Sequence, residues 1–217
     1  MVLHLADRLE VPLRERNRLL LAAGHAPLFA EHSLHDDEMG PVREALGRFL
    51  AAHEPYPAVV VDRHWNLVLA NRAVDLLTNG IAAELLEPPT NALRVTLHPD
   101  GMASQIVNFA EWSGHLLRRL HRQIVMTGDQ ELERLYEELA SYPGVNSLGA
   151  SSDVPTTAEI VLPLQLRRDG TELALFSTMT VFGTAFDITL AELAIEAFYP
   201  ANSETARTLA VHSNLAR

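Results

Sequence analysis

The side chains best suited to chemistry fall in one stretch, VNFAEWSGHLLRRLHRQ, where Asn108, Trp112, His115, Arg119 and Arg122 recur at steps of four, three, four and three. On a helix that spacing gathers them into one stripe. None of them is a nucleophile beside a base, so the chemistry on offer is recognition. A guanidinium can fix a carboxylate, and an indole and an imidazole can stack or donate hydrogen bonds next to an apolar wall. The natural wall is Leu173 to Phe182, large, aromatic and β-branched residues with no glycine or proline, a composition that suits a strand. Along a strand Phe176, Thr178, Thr180 and Phe182 share one face, and Leu175, Ser177, Met179 and Val181 the other. With the former face set opposite the helix, the candidate ligand-binding residues are Asn108, Trp112, His115, Arg119, Phe176, Thr178 and Thr180. The same residue types also suit an ordinary core in which Arg119 snorkels or pairs with an acid such as Glu111.

Other chemistries lack their residues. The chain has no cysteine, and its 17 basic residues are all arginine, which removes thiolate metal sites, cysteine nucleophiles and every lysine-dependent mechanism. Nucleophile elbows, glycine-rich phosphate loops and HExxH motifs are missing from the sequence. Ser104, Ser113 and Ser177 carry no motif, and the histidines read as polar or partly buried neighbours. His32, His35, Asp36 and Asp37 read as a polar linker entering an acidic helix start rather than as a metal site. No enzyme, metal or cofactor is expected beyond a small bound molecule. A net charge of −11 argues against this chain, taken whole, gripping a phosphate backbone. No apolar run approaches a membrane span, and the first 21 residues are too charged for a signal peptide, so a cytoplasmic protein is the expectation.

The elements that must position the stripe follow from periodicity and punctuation. Residues 3–23 read as two short helices divided at Pro12 and closed by Gly24, 25–40 as a linker, and Pro41–His53 as an amphipathic helix. Ala58–Val61 and Asn66–Ala70 read as strands around a tight turn, with Asn71 capping a following helix. Residues 84–99 read as loop, and Ala103–Thr127 as one long helix. Asp129–Ser141 forms a further helix stopped by Pro143 and Gly144, and 146–157 is a loop. Ala158–Arg168 is a strand, joined by a hairpin turn to the strand from Leu173, which is expected to be central. For 190–199 both periods fit, and a strand is preferred because the neighbouring ladder needs a partner. The expected fold is α+β, a PAS-like antiparallel sheet with helices on one face, preceded by N-terminal helices.

YPAVVVDRHWNLVLANRA, LRVTLHPDG, VNFAEWSGHLLRRLHRQ, ELASYPGV and FSTMTVFGTAFDITLAELAIEAFYPAN, in this order, resemble the C-terminal ligand-binding domain of MmyB-like bacterial regulators of the XRE, or Cro/repressor-like, helix-turn-helix group. The likeness spans about residues 40–205. It implies a PAS-like sensor for a fatty-acid-like molecule, tethered to a DNA reader. Residues 1–24 then resemble the last helices of a helix-turn-helix domain, 25–54 a linker and helix, 55–205 the ligand-binding domain and 206–217 a tail. DNA is a partner only through the helix-turn-helix domain, most of which lies outside this sequence, and a homodimer is expected because such proteins read two half-sites. The alternative is a dimerisation domain with a solidly packed core and no ligand.

Overall fold

The computed structural model describes residues 1–146, 162–168 and 170–215. Its frame is a five-stranded, wholly antiparallel sheet of β1 (Ala58–Val61), β2 (Leu67–Ala70), β3 (Leu164–Arg168), β4 (Thr171–Val181) and β5 (Ala194–Pro200) in the order β2-β1-β5-β4-β3. The fold is α+β with an antiparallel sheet, as expected. β5, not β4, is the middle strand, because the chain returns from β4 to pair with β1. β1 reads AVVV and is buried at all four positions, as a strand covered on both faces must be.

Ten helices flank the sheet among the described residues: α1 (Val2–Arg8), α2 (Leu13–Ala22), α3 (Gly40–Ala52), α4 (Asp75–Thr78), α5 (Ala83–Leu86), α6 (Ala92–Leu97), α7 (Phe109–Thr127), α8 (Gln130–Ala140), α9 (Ile188–Glu192) and α10 (Ser203–Leu215). They do not all lie on one face. Val59, Val61, Leu164, Leu166, Leu173, Leu175 and Phe198 form the inner sheet face, packed against apolar residues of α4 and α6–α8. Ala58, Val60, Ile195 and Ala197 face the other way, onto Leu46 and Leu50 of α3.

Several sequence expectations change with a local physical cause. The long helix starts at Phe109 instead of Ala103, because Ile106 bridges to Leu166 and the Val107 N–H donates to the Gln165 carbonyl at 2.8 Å. The backbone there is spent on the edge of β3 and cannot also be helical. Residues 84–99 contain α5 and α6, not loop alone. The Asn91 carboxamide oxygen accepts from the N–H groups of Leu93 and Arg94, each at 3.2 Å, and this cap starts a helix too short for periodicity to reveal. In 188–200 both candidate periods are used in succession, α9 first and β5 after it, and Asp187 caps α9 by accepting from the Leu190 N–H. Residues read as the start of a tail belong to α10, where Thr205 and Leu209 are buried and the Thr205 hydroxyl accepts from the Ala174 N–H. Most of the loop read at 146–157, and the first residues of the strand read at 158, lie outside the described residues.

The N-terminal helices dock beside α9. Arg14 donates to both Glu192 carboxylate oxygens at 2.7 and 2.9 Å and also pairs with Glu31. Ala30 forms a bridge with Asp187.

Candidate ligand-binding site

The β1–β2 turn is shaped by Asp62, whose carboxylate accepts from the His64 and Asn66 N–H groups at 2.8 Å each. Its last residue, Trp65, sits at φ +68°, a left-handed conformation that a bulky side chain adopts only when its surroundings compensate. The surroundings are specific. The Trp65 indole N–H donates to Gln123 of α7 at 2.9 Å, its ring is buried, and the Arg119 guanidinium lies 4.5 Å from its centroid. Asn91 joins this turn to α6 by donating to the His64 carbonyl at 2.8 Å.

Behind Trp65 the inner layer is incompletely filled. A cavity of about 100 Å³ lies between the sheet, through Val59, Leu164, Glu196 and Phe198, and the layer facing it, through Val74, Leu93, Met102, Trp112 and Leu116. Almost all of its lining is apolar. Trp112 stands out, since its Nε1 is buried without a hydrogen-bond partner among the described residues. A buried N–H in that condition forfeits ~1–3 kcal/mol of hydrogen bonding, and it belongs to a residue that lines the cavity.

Thr78, Thr90 and Thr96 also line the cavity, and its one ionisable wall residue is Glu196, a buried acid on the otherwise apolar β5. Its carboxylate accepts from Arg119 Nη1 at 3.3 Å, and Arg119 also touches the sulfur of Met179. Met179, Glu196 and Val59 form one rung across the sheet. Arg119 therefore lies as a bar over that rung, with the cavity on one side. On the other side, at the rung of Val181, Ala194 and Val61, an open groove of about 890 Å³ begins.

Of the seven residues expected to bind ligand, the structure brings one into the cavity and one to its boundary. Trp112 lines the cavity, and Arg119 lines the open groove next to it while paired to the cavity residue Glu196 rather than to Glu111. His115 is half-buried and stacked on Trp112 at 5.5 Å. Burial, then the positive charges of Arg119 and Arg118, push its imidazole below the ordinary histidine range. Asn108 is a tether, donating to the Pro163 carbonyl at 2.8 Å and accepting from the Gln165 N–H at 3.1 Å.

Phe176, Thr178 and Thr180, expected to face the long helix, lie on the opposite face of the sheet. In the β4–β5 register Phe176, Thr178 and Thr180 pair with Tyr199, Ala197 and Ile195, whose side chains lie on the α3 side. Thr178 and Thr180 are exposed there, and Phe176 stacks on Tyr199 at 5.3 Å. The inner face of β4 carries Leu175, Ser177, Met179 and Val181, because a shift of one residue exchanges the faces of a strand. Trp65 and Glu196 were not identified as wall residues. Glu196 carried a legible signal, a lone acid within the apolar run LAIEAFY.

His32 Nδ1, read as part of a polar linker, pairs with Asp187 at 2.8 Å, and no group of three potential ligands able to hold a metal occurs among the described residues. No helix among them is long and apolar enough to cross a membrane.

The family model for the MmyB-like transcription regulator ligand binding domain matches residues 42–211. Among solved structures, the PAS domain of Bordetella pertussis BvgS is similar at 12% identity with a TM-score of 0.33, covering 80% of this chain and 98% of that one. An RNA-binding light-oxygen-voltage receptor is similar at 17% identity and a TM-score of 0.33, covering 94% of this chain and 48% of its own. No curated protein sequence matches the chain.

Proposed function

Because the chain belongs to the family of MmyB-like transcription regulator ligand binding domains, which is not a family of enzymes, we propose that it senses a small amphipathic molecule. The molecule's apolar end fills the cavity behind Trp65, and an acceptor atom on it takes the Trp112 N–H. The observation that carries this reading is the Trp112 Nε1, unpartnered among the described residues, on a residue that lines an apolar void. A solidly packed dimerisation core would have filled that volume and paired that donor.

About 100 Å³ is somewhat less than the ~150 Å³ of an engineered apolar cavity known to take benzene. The enclosed part of a guest is thus about the size of one ring or a short alkyl segment. A longer, fatty-acid-like guest would have to pass the Arg119 bar. Occupancy is passed to an attached helix-turn-helix domain of the XRE type through the docked α2, which requires the guest to favour one of two arrangements of α2 and sensor. The protein works in the cytoplasm as a homodimer, as the reading of paired half-sites requires.

The test is native mass spectrometry and organic extraction of the purified protein, followed by thermal shift with added acyl compounds. A co-purifying amphipathic molecule, or a rise in melting temperature that saturates with the compound, supports the proposal. The absence of both counts against it.

A further inference from the structure

The open groove beyond Arg119 has a composition of its own. Its floor is Val61, Met126, Met179 and Val181, and its two walls are α2 and the C-terminal half of α7. On the inner face β4 runs past its helical cover, leaving Met179 and Val181 exposed to 39% and 61%, while Met126 on α7 is 78% exposed. Apolar side chains gathered in a recess of this size mark a place where something binds.

The charges show what kind of molecule. Five arginines line the groove, Arg14, Arg18, Arg63, Arg119 and Arg122. Four hold acids of this chain: Arg14 pairs with Glu31 and Glu192, Arg18 with Glu15, Arg63 with Asp129, and Arg119 with Glu196. Arg122 is exposed and makes no hydrogen bond or ion pair among the described residues. A chain of net charge −11 thus holds an uncommitted cation at the edge of an apolar recess, with Arg18 on the facing wall.

We propose that this groove is a binding site for an amphipathic organic anion, distinct from the cavity behind Trp65. The apolar body lies on Val61, Met126, Met179 and Val181. The acid is held by Arg122 from α7 and Arg18 from α2. The occupant touches both walls at once, so it ties α2 to the sensor, and the groove is a second place at which a small molecule acts on the position of α2.

The experiment compares two probes with the same aromatic body, the sulfonate 8-anilinonaphthalene-1-sulfonate and its neutral parent N-phenyl-1-naphthylamine, titrated by fluorescence into the whole chain. Loss of one charge-assisted contact in Arg122→Gln, or in Arg18→Gln, is expected to weaken the sulfonate about five- to tenfold and to leave the neutral probe unchanged. Trp112→Phe should leave sulfonate binding unchanged, because that side chain belongs to the cavity. Hydrogen exchange of residues 13–22 should slow when the sulfonate is bound. The proposal is overturned if the sulfonate does not bind, if both arginine variants bind it like the parent chain, if Trp112→Phe abolishes its binding, or if exchange in α2 does not change. None of these results bears on whether the cavity takes an uncharged guest, which acetophenone binding reports independently.

Discussion

Replacing Trp112 with phenylalanine separates the role of its N–H from the role of its bulk. In the unliganded protein the exchange removes a buried donor that has no partner among the described residues, relieving ~1–3 kcal/mol. It also removes apolar ring volume from a wall that already borders a void, at a cost of ~1–2 kcal/mol by comparison with larger truncations. The two nearly cancel, so the denaturation midpoint should move by less than ~1 kcal/mol equivalent. Binding should respond differently. A guest whose acceptor enters the dry cavity and finds no donor loses ~1–3 kcal/mol, about five- to 150-fold in Kd. Acetophenone and ethylbenzene are matched in shape and differ in the carbonyl, so the loss is expected for the first and not for the second. The assay is convenient, because Trp65 and Trp112 are the chain's two tryptophans and both line the cavity; Trp65 fluorescence still reports occupancy in the variant. Equal loss for both guests, or a stability loss above ~3 kcal/mol, would refute the reasoning by showing that Trp112 acts through packing alone.

Val74→Phe, which projects bulk into the cavity, should abolish acetophenone binding in calorimetry with at most ~1–3 kcal/mol lost in denaturant melts. Thr178→Phe, on the exposed α3 side of β4, should leave acetophenone affinity unchanged, and a tenfold loss would mean that the face assignment is wrong. Asn71 is buried, accepts from the Ala58 N–H at 3.0 Å and donates to the carbonyls of Tyr56 and Leu50. Asn71→Ala should therefore cost ~2–4 kcal/mol in urea unfolding, whereas an exposed asparagine would cost almost nothing. The depressed His115 imidazole makes folding depend on pH. Above the ordinary histidine value of 6.5 it is neutral in both states and its stability contribution is complete. As the pH falls below that value the unfolded chain takes up the proton first, so stability is lost until the folded state protonates too. His115→Gln should flatten that part of the stability profile.

How much of this was legible beforehand varies with the kind of signal. α7 was readable because its buried residues, Trp112, Leu116, Leu117 and Leu120 among them, repeat with the helical period over five turns' worth of chain, and no local competitor exists once the helix has begun. β1 was readable from AVVV between turn residues, and the capping role of Asn91 was not, because a six-residue helix offers too few repeats to stand out from its loop. Trp112 and Arg119 were placed at the site by their stripe alone.

The sequence by itself determined that there would be an antiparallel α+β sheet, a long amphipathic helix across it, and an indole and a guanidinium on that helix, since these rest on periods and caps that each segment carries within itself. It could not determine which face of β4 meets the helix. Both faces of that strand are apolar, with Phe176 and Phe182 on one and Leu175, Met179 and Val181 on the other, so alternation has no sign there. The tertiary structure decided it through pairing with β5, which set Met179 beside Glu196 and Thr178 beside Ala197. With that register fixed, Glu196 turned inward to hold Arg119, and the unfilled volume fell between Phe198 and Trp112, because a void belongs to no single segment and exists only where several fail to meet.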